Sequence, residues 1–491
     1  MTPLAAWPLT LARKAGLAEV ETELAAHPDS LRLRFERACI LSELGRNEDA
    51  QRAYLDLLVR APTHRVALNN FGTLLHSTGY RTAARTAYRE AVAQHPDDPT
   101  GHVNLANLLL EEGELEDARE HYQAALRLVP DHPQAHQGFG SLLIELGEPD
   151  AALEHQRIGF RDHAVIELPY CGEAPPTRVL LLISANGANV PVRHLLDDRV
   201  FKTTVLLPQF YRSSVPIPEH DVVFNGIGDA DNSEDALEAA VNLLSLSTTP
   251  VLNHPAAVLR TGRAENLMRL SRLPGVITAH GARISRELLA APDAPITLTG
   301  LGFVFPLLLR TPGFHNGRHF IKASGADELP ACLASIPGEE LIVLQFLESR
   351  AADGKVRKYR VMIVHGRLYP LHLAISSDWK IHYVTAEMSG SAAHRAEEAQ
   401  FLEDMPGVLG PRAMAGLDYI QRELALDYAG VDFGLSPHGD VLLFEANATM
   451  VVQLPEPEER WSYRRAAVER IHDAVRDMFT TPPRRNAKFP M

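Results

Sequence analysis

The chain has 491 residues, enough for about three domains, and its 45% hydrophobic content excludes a wholly disordered protein. Its 48 basic and 62 acidic residues give a net charge of −14, which argues against nucleic-acid or anionic-membrane partners, because both require a basic surface. The three cysteines lie too far apart for a disulfide framework, and neither a signal peptide nor a bilayer-spanning apolar run is evident, so we expect a cytoplasmic protein.

The first third of the chain carries an internal repeat with a period of 34 residues. Glycine at one fixed position predicts the end of a first helix, and a small alanine lets a second helix pack closely against it. Tyrosine fills the neighbouring space, and proline ends the second helix. The repeated residues are Pro28, Pro62, Pro96 and Pro130; Gly45, Gly79, Gly113 and Gly147; Ala50, Ala84, Ala118 and Ala152; and Tyr54, Tyr88 and Tyr122, with Gln156 in the fourth unit.

This pattern resembles the tetratricopeptide repeat over roughly residues 31–160, preceded by a leading helix at 10–27. The resemblance implies an all-α solenoid of helical hairpins whose first helices line a concave groove. Four asparagines lie on those helices: Asn69, Asn70, Asn104 and Asn107. Their amides are suited to holding a peptide backbone, so we expect a peptide or protein partner in the groove. Two alternatives are a solvated helix surface and docking of the array onto the following domain.

The helical pattern ends near residue 165, and three prolines mark a linker at residues 166–177. An α/β subdomain follows at residues 178–255, where short apolar runs alternate with one helix and predict a small parallel sheet. The predicted strands are Arg178–Ser184, Thr203–Leu207, Asp221–Asn225 and Val251–Asn253, and the predicted helix is Ser233–Leu246.

Residues 256–480 form the next predicted domain, with a tail at 481–491. Two strands flank a glycine-containing loop at residues 311–318 and predict a hairpin. The predicted strands are Val304–Arg310, His319–Ala323, Leu341–Phe346, Lys358–Val364, Arg367–Ile375, Tyr428–Gly434 and Val441–Ala446, and the predicted helices are Arg412–Leu424 and Arg464–Phe479.

The last two strands carry the most informative polar residues. Asp432, Glu445 and Asn447 each lie within or directly after an apolar strand. Glu445 and Asn447 are two residues apart and therefore point to the same face. Three oxygen-bearing side chains on neighbouring strands suit Mg²⁺ with phosphate oxygens, so we predict a magnesium site. A solvated strand edge is the alternative, although a carboxylate in so apolar a segment is costly there.

Three further segments offer groups for a nucleotide. The hairpin loop provides cations and backbone donors for a polyphosphate. The strand ending at Gln345 is followed by amides for an adenine edge and carboxylates for a ribose. A later basic segment provides cations, of which Arg360 is expected to point inward. The residues concerned are Arg310, Gly313, His315, Gly317 and Arg318; Gln345, Phe346, Leu347, Glu348 and Asp353; and Arg360 and Lys380. The alternative for this basic segment is a solvated face, above all at Arg357 and Lys358.

Together these segments, in this order, resemble the ATP-grasp superfamily over residues 178–480. The resemblance implies a multidomain chain in which the repeat solenoid precedes an α/β preATP-grasp subdomain and an α+β ATP-grasp fold. It also implies an ADP-forming, ATP-dependent ligase that joins a carboxylate substrate to an amine or other nucleophile through an acyl phosphate. Asp432, Glu445 and Asn447 would bind Mg²⁺, while Arg310 and Arg360 would be catalytic. Arg310 stands where the family usually has lysine.

Two other functions stay open at this point. The same superfamily fold resembles some small-molecule kinases, and a kinase would form ADP without an acyl phosphate. In the second alternative the repeats form a scaffold and the nucleotide domain is degenerate, which an intact Asp–Glu–Asn set argues against. The sequence does not identify the carboxylate or the nucleophile, and we expect residues 376–411 to shape that pocket.

Overall fold

The structure, a computed structural model, describes residues 8–482 except for residue 188, residues 193–194, 213–214, 313–318 and 382–385, and residue 457. The chain divides into two units. Unit 1 is Met1–Pro176 with Asp198–Val215, and unit 2 is Thr177–Asp197 with Pro216–Met491. The α/β subdomain predicted at residues 178–255 includes residues 198–215, which the structure assigns to unit 1. No helix in the described ranges is both long and apolar enough to cross a membrane.

Unit 1 contains a series of helical hairpins, as the repeat predicts. Each first helix ends beside a glycine in the left-handed region, with φ between 69° and 88° at the four repeat positions, a conformation that favours glycine. The helices are α1 (Pro8–Ala26), α2 (Leu31–Glu43), α3 (Asn47–Arg60), α4 (Arg65–Ser77), α5 (Arg81–Gln94), α6 (Pro99–Glu112), α7 (Leu115–Leu128), α8 (Pro133–Glu145) and α9 (Pro149–Gly159).

The repeated alanines and tyrosines form the core of these hairpins. Ala84 and Ala118 are fully buried, and so is Tyr122. A Cβ atom added at Gly72 would lie 2.5 Å from the Tyr88 ring, so glycine is required where the tyrosine of the next helix packs. The helices are thus held by close packing between positions that recur once per repeat.

Two repeats also contain a pair of histidines at equivalent positions. Nδ1 of His102 lies 3.0 Å from Nδ1 of His121, and the His136–His155 pair is joined at 2.7 Å. Nε2 of His102 donates to the Pro96 carbonyl, so its Nδ1 is the acceptor within the pair. A doubly protonated pair would place two N–H groups against each other. Burial, followed by the neighbouring histidine, lowers the pKa of both His121 and His155.

We therefore predict that the protein loses stability on acidification. Because the pKa of His121 and His155 is lower in the folded state, the unfolded chain binds more protons. Stability is fully present above the unfolded histidine value of about 6.5 and is lost as the pH falls below it. Melting temperatures of the full chain between pH 8 and pH 5 would measure the slope. A His121→Gln/His155→Gln double variant should flatten it, and an unchanged slope would contradict the assignment.

Unit 1 also contains an antiparallel pair of strands after the helices. Strand β1 (Val165–Glu167) pairs with β3 (Phe201–Leu206), and Phe160 stacks on Phe210 with ring centroids 5.3 Å apart. Sequence analysis predicted the strand at residues 203–207 but missed its short partner β1, which lies at the start of the predicted linker.

Unit 2 begins with the predicted small parallel sheet. Strands β2 (Thr177–Leu182), β4 (Val222–Asn225) and β5 (Val251–Leu252) pair in parallel, and helix α10 (Glu234–Leu244) lies between β4 and β5 in the chain. The loop after β5 is tied to a distant part of the same unit: Asn253 donates to the Tyr428 carbonyl and accepts from its amide, at 2.8 and 2.7 Å.

A four-stranded antiparallel sheet forms the next layer, in the order β7-β10-β8-β9. The predicted strand at Val304–Arg310 is three residues too long, because Pro306 has no backbone N–H for a ladder bond. Strand β7 was not predicted, since its sequence is short and half polar. The strands are β7 (Gly281–Ser285), β8 (Leu307–Arg310), β9 (Phe320–Ala323) and β10 (Glu340–Gln345), with helices α13 (Arg286–Ala290), α14 (Ala294–Gly300) and α15 (Leu329–Ser335).

A five-stranded sheet completes unit 2, in the order β12-β11-β13-β14-β6. Its pairs are antiparallel except that β6 runs parallel to β14. The strands are β6 (Val276–Thr278), β11 (Val356–Val364), β12 (Arg367–Ser376), β13 (Tyr428–Leu435) and β14 (Val441–Asn447), and the remaining helices are α11 (Pro255–Leu259), α12 (Arg263–Leu270), α16 (Ala392–Glu403), α17 (Met405–Leu424) and α18 (Arg465–Thr480).

Helix α17 begins seven residues before the predicted start at Arg412. Gly410, with φ 77° and ψ 167°, interrupts it, and Pro411 restarts it, so the prediction covered only the second segment. Helix α16 occupies part of residues 376–411, the segment that was expected to shape the substrate pocket.

Candidate functional site

A cleft of about 830 Å³ lies within unit 2. The four-stranded sheet lines one part of it and the five-stranded sheet another, while residues 228–231 after β4 line a third. The predicted residues that line it are Arg310, Gln345, Phe346, Leu347, Arg360, Lys380, Asp432, Glu445 and Asn447. Groups that were scattered over 138 positions of the sequence, from 310 to 447, therefore meet at one surface.

The four-stranded sheet presents a row of cleft-lining residues. Arg283, Ile342, Arg310 and Phe320 stand directly opposite one another on β7, β10, β8 and β9. Directly opposite residues share a face of the sheet, so two guanidinium groups flank one apolar residue on this face. The Arg310 guanidinium carbon lies 5.9 Å from the Phe320 ring centroid. Arg283 was not predicted as a site residue, because its strand β7 was not predicted.

The end of β10 provides an aromatic surface beside that row. The ammonium of Lys322 lies 4.7 Å from the Phe346 ring centroid and 5.7 Å from that of Trp379. The Gln345 side chain donates to the Val304 carbonyl at 2.7 Å and accepts from its amide at 2.9 Å. The Gln345 side chain thus binds the chain before β8. The predicted adenine contacts would therefore come from backbone groups at the end of β10.

The five-stranded sheet presents a charged row. Arg360, Asp432 and Glu445 stand directly opposite one another on β11, β13 and β14. Asp432 is only 1% exposed, and it accepts from Arg360 Nε at 2.6 Å and from Arg360 Nη2 at 2.8 Å. The ammonium of Lys358 lies 2.7 Å from the same carboxylate. Lys358 therefore points into the cleft on the same face as Arg360, and the alternative of a solvated side chain does not hold for it.

The charges of this row determine its protonation states. Burial raises the pKa of Asp432, but Lys358 and Arg360 outweigh burial and hold that pKa below the ordinary carboxyl value. Burial lowers the pKa of Arg360, and Asp432 more than offsets this. His372, opposite Arg360 on β12, has a pKa well below its usual range because it is buried and faces Arg360. The row therefore contains ionised partners beside a neutral imidazole at neutral pH.

Glu445 and Asn447 continue this surface along β14. The Asn447 amide donates to Glu445 Oε1 at 2.9 Å, and its oxygen accepts from the amide and hydroxyl of Thr449, both at 3.0 Å. Gly228 packs against Thr449, and a Cβ atom there would lie 2.4 Å from the threonine methyl. The loop after β4 therefore approaches the end of β14 closely enough to exclude a side chain.

The predicted magnesium ligands are present but already engaged. Within the described ranges, no three His, Cys, Asp or Glu side chains form a preassembled metal cage. Both oxygens of Asp432 accept from cations, and the Asn447 oxygen accepts two hydrogen bonds, while Glu445 accepts only from Asn447 among the contacts given above. Oxygen donors of this type fit a hard cation, provided that it arrives with anions that attract Lys358 away from Asp432.

The structure does not bring every predicted residue to the cleft. Neither Glu348 nor Asp353, the predicted ribose ligands, lines it. Asp353 instead pairs with Arg357 at 2.8 Å, and Glu348 accepts from the Arg350 amide at 2.9 Å. The predicted phosphate-loop residues Gly313, His315, Gly317 and Arg318 lie outside the described residues.

The asparagines of the predicted peptide groove form contacts within unit 1. Asn69 is buried, donates to Asp98 and accepts from Asn104 at 3.0 Å. Asn70 donates to the Cys39 sulfur, and Asn107 accepts from the Tyr122 hydroxyl. Buried Asn69 thus connects neighbouring repeats, whereas Asn70 and Asn104 are half-buried and Asn107 is exposed.

The comparisons with known proteins concern the repeats. The tetratricopeptide repeat family matches at residues 35–99, 78–133 and 103–158. Similar solved structures include MamA from Desulfovibrio magneticus RS-1 (21% identity, 29% of this chain and 81% of that chain, TM-score 0.27) and pilF from Pseudomonas aeruginosa (19%, 31% and 72%, 0.28). YrrB, titled a TPR protein with an unusual peptide-binding site, is also similar (17%, 31% and 80%, 0.27). No curated protein matches the chain significantly.

The family matches cover helical hairpins of unit 1. The α/β region with its mixed sheets follows them. Residues 35–158 of this chain are an array of tetratricopeptide repeats, the type of scaffold that mediates protein interactions.

Proposed function

We propose that unit 2 is an ADP-forming ligase of the ATP-grasp type, which joins a carboxylate to an amine or another nucleophile through an acyl phosphate. The observation that supports this best is the charged row Arg360–Asp432–Glu445 in the same cleft as Arg283 and Arg310. A nucleoside triphosphate with its divalent cation requires both kinds of surface, cationic for the phosphates and carboxylate for the metal.

The cleft residues have separate roles in this proposal. Arg310 and Arg360 stabilise the negative charge that develops while the γ-phosphoryl group moves to a carboxylate oxygen and ADP leaves. Phe346 and Leu347 provide the edge of β10 against which the adenine lies. The nucleophile then attacks the acyl carbon, the carbon–oxygen bond to phosphate breaks, and the amine proton passes to solvent.

Asp432, Glu445 and Asn447 would hold Mg²⁺ in the loaded enzyme. When bound, Mg²⁺ supplies charge neutralisation for the phosphate oxygens. Glu445 is the readiest of the three, since both Asp432 oxygens are engaged by cations. Arg360 stays beside Asp432 through two hydrogen bonds and thereby also orients its own guanidinium toward the cleft.

We propose that the repeats of unit 1 recruit a peptide or protein that is the substrate or brings it. YrrB, a TPR protein by its printed title, has an unusual peptide-binding site, and the exposed or half-buried asparagines here supply amides for a similar role. Asn70, Asn104 and Asn107 are the residues proposed for contact with the peptide backbone, and Asn69 is proposed to hold Asn104 in place.

Binding of Mg·ATP to the full chain tests the nucleotide site. At free nucleotide concentrations near 100 times the dissociation constant, binding should stabilise the fold by roughly 2.7 kcal/mol, seen as a rise in melting temperature that requires the divalent cation. AMP at the same concentration is the control and should give a much smaller shift. Equal shifts with and without the cation would argue against the site.

Hydroxylamine trapping tests the ligase chemistry. The full chain with Mg·ATP and a set of amino acids, peptides and other carboxylates should release ADP, and hydroxylamine should convert the acyl phosphate into a hydroxamate. ADP release without a hydroxamate for any accepted substrate would instead identify a kinase. No nucleotide binding in a folded protein would overturn the proposal.

A further inference from the structure

Lys358 is a second cation on a carboxylate that Arg360 already neutralises. Its ammonium lies 2.7 Å from Asp432 Oδ2, which also accepts from Arg360 Nη2 at 2.8 Å. The Lys358 side chain is 19% exposed, and the residue lines the cleft. Of the two cations on Asp432, Lys358 is therefore the one with a single ionic contact to that carboxylate, and it also has access to the cleft.

The charges of the cluster cancel. Lys358 and Arg360 contribute +2, and Asp432 and Glu445 contribute −2, so the four groups sum to zero. A divalent cation that enters alone meets no net negative charge and must displace a cation from Asp432. A polyphosphate that enters with it offers Lys358 new anionic partners.

We propose that Lys358 is an electrostatic latch on Asp432, which makes the divalent cation bind only together with a polyphosphate. This rests on the proposed function, since it concerns the same metal and nucleotide site. Lysine suits the role because its ammonium is a compact charge on a flexible stem, whereas Arg360 is fixed by two hydrogen bonds to Asp432. The latch positions charge and takes no part in bond making.

Metal binding without nucleotide is the first test. Electron paramagnetic resonance of Mn²⁺ counts free metal in the presence of the full chain. Lys358→Gln removes one positive charge and should tighten Mn²⁺ binding at least about tenfold over the unsubstituted protein. Lys358→Arg restores the charge and should bind like the unsubstituted protein. Lys358→Met serves instead if circular dichroism shows that Lys358→Gln does not fold.

Lys355 provides a matched control on the same segment of chain. Its ammonium also contacts one carboxylate, that of Glu387 at 2.6 Å, but Lys355 does not line the cleft. Lys355→Gln should leave Mn²⁺ affinity unchanged. Tight Mn²⁺ binding by the unsubstituted protein, no gain in Lys358→Gln, or an equal gain in Lys355→Gln would each overturn the latch.

The second test measures the coupling between metal and nucleotide. A non-hydrolysable ATP analogue should raise the Mn²⁺ affinity of the unsubstituted protein. The factor by which the analogue raises this affinity should be at least about tenfold smaller in Lys358→Gln. By linkage, the factor by which Mn²⁺ raises the affinity for the analogue should change equally. An unchanged factor would overturn the latch. If neither protein binds the analogue while Lys358→Gln alone gains Mn²⁺ affinity, the proposed function fails and the coupling to a polyphosphate is overturned, and what stands is that Lys358 excludes a lone cation from Asp432.

Discussion

Replacing Glu445 with glutamine should lower ATP turnover by at least about two orders of magnitude, because electrostatic groups of this kind contribute about 3–4 kcal/mol to a transition state. Glutamine retains a side-chain oxygen that can accept from Asn447, so the local hydrogen bond survives while one negative charge is lost. The melting temperature without nucleotide should barely change. Steady-state ADP release and thermal unfolding of the full chain provide the two measurements.

Glu387→Gln is the matched control for this experiment. Glu387 is a carboxylate of unit 2 that accepts from Lys355 and from the Ser377 amide, but it does not line the cleft. Its replacement should leave turnover within a few-fold of the unsubstituted protein. If Glu445→Gln unfolds the chain, Glu445 is a structural acid. If turnover is unaffected, the proposed metal site lies elsewhere.

Asp432→Asn should have the largest effect on stability among single substitutions in the cleft. The carboxylate is 1% exposed and neutralises Arg360 and Lys358. Asparagine keeps the shape but leaves two cations near each other without an anion between them, and breaking a buried pair from one side costs about 3–5 kcal/mol. Denaturant unfolding of the full chain measures the loss.

A double variant separates charge repulsion from lost packing. Adding Lys358→Gln to Asp432→Asn removes one of the stranded cations, so the double variant should be more stable than Asp432→Asn alone. A double variant that is less stable than either single one would show that the Asp432 site depends on packing more than on charge.

The repeat array could be predicted in detail because its signal is local. A glycine and a proline at fixed spacing determine where each helix stops, and a small alanine determines how closely its neighbour packs. The repeat helices end one or two residues before those glycines and prolines. Strands β6 and β7 were missed because each is short and its sequence has no apolar run. With β7 the sequence analysis also missed Arg283, which has no motif of its own.

Several residues of the cleft were predicted, but the ion pairs between them were not. Asp432 and Glu445 could be placed together because both follow apolar residues on late strands. The inward direction of Lys358 follows from the same two-residue alternation that places Arg360 in the cleft, so a signal for it was present. The turn in which Asp353 pairs with Arg357 has no such signal, because both residues are close in sequence and polar.

The contacts of Asn253 limit how early unit 2 can fold during synthesis. Its two hydrogen bonds to Tyr428, together with the pairing of β6 and β14, join positions separated by more than 160 residues. A nascent chain leaving the ribosome can close each repeat hairpin as soon as about one repeat has emerged, whereas the five-stranded sheet must wait until β14 is made. During that interval β6 lacks its partner β14 and β11 lacks its partner β13, so chaperone demand should be concentrated there rather than in the repeats.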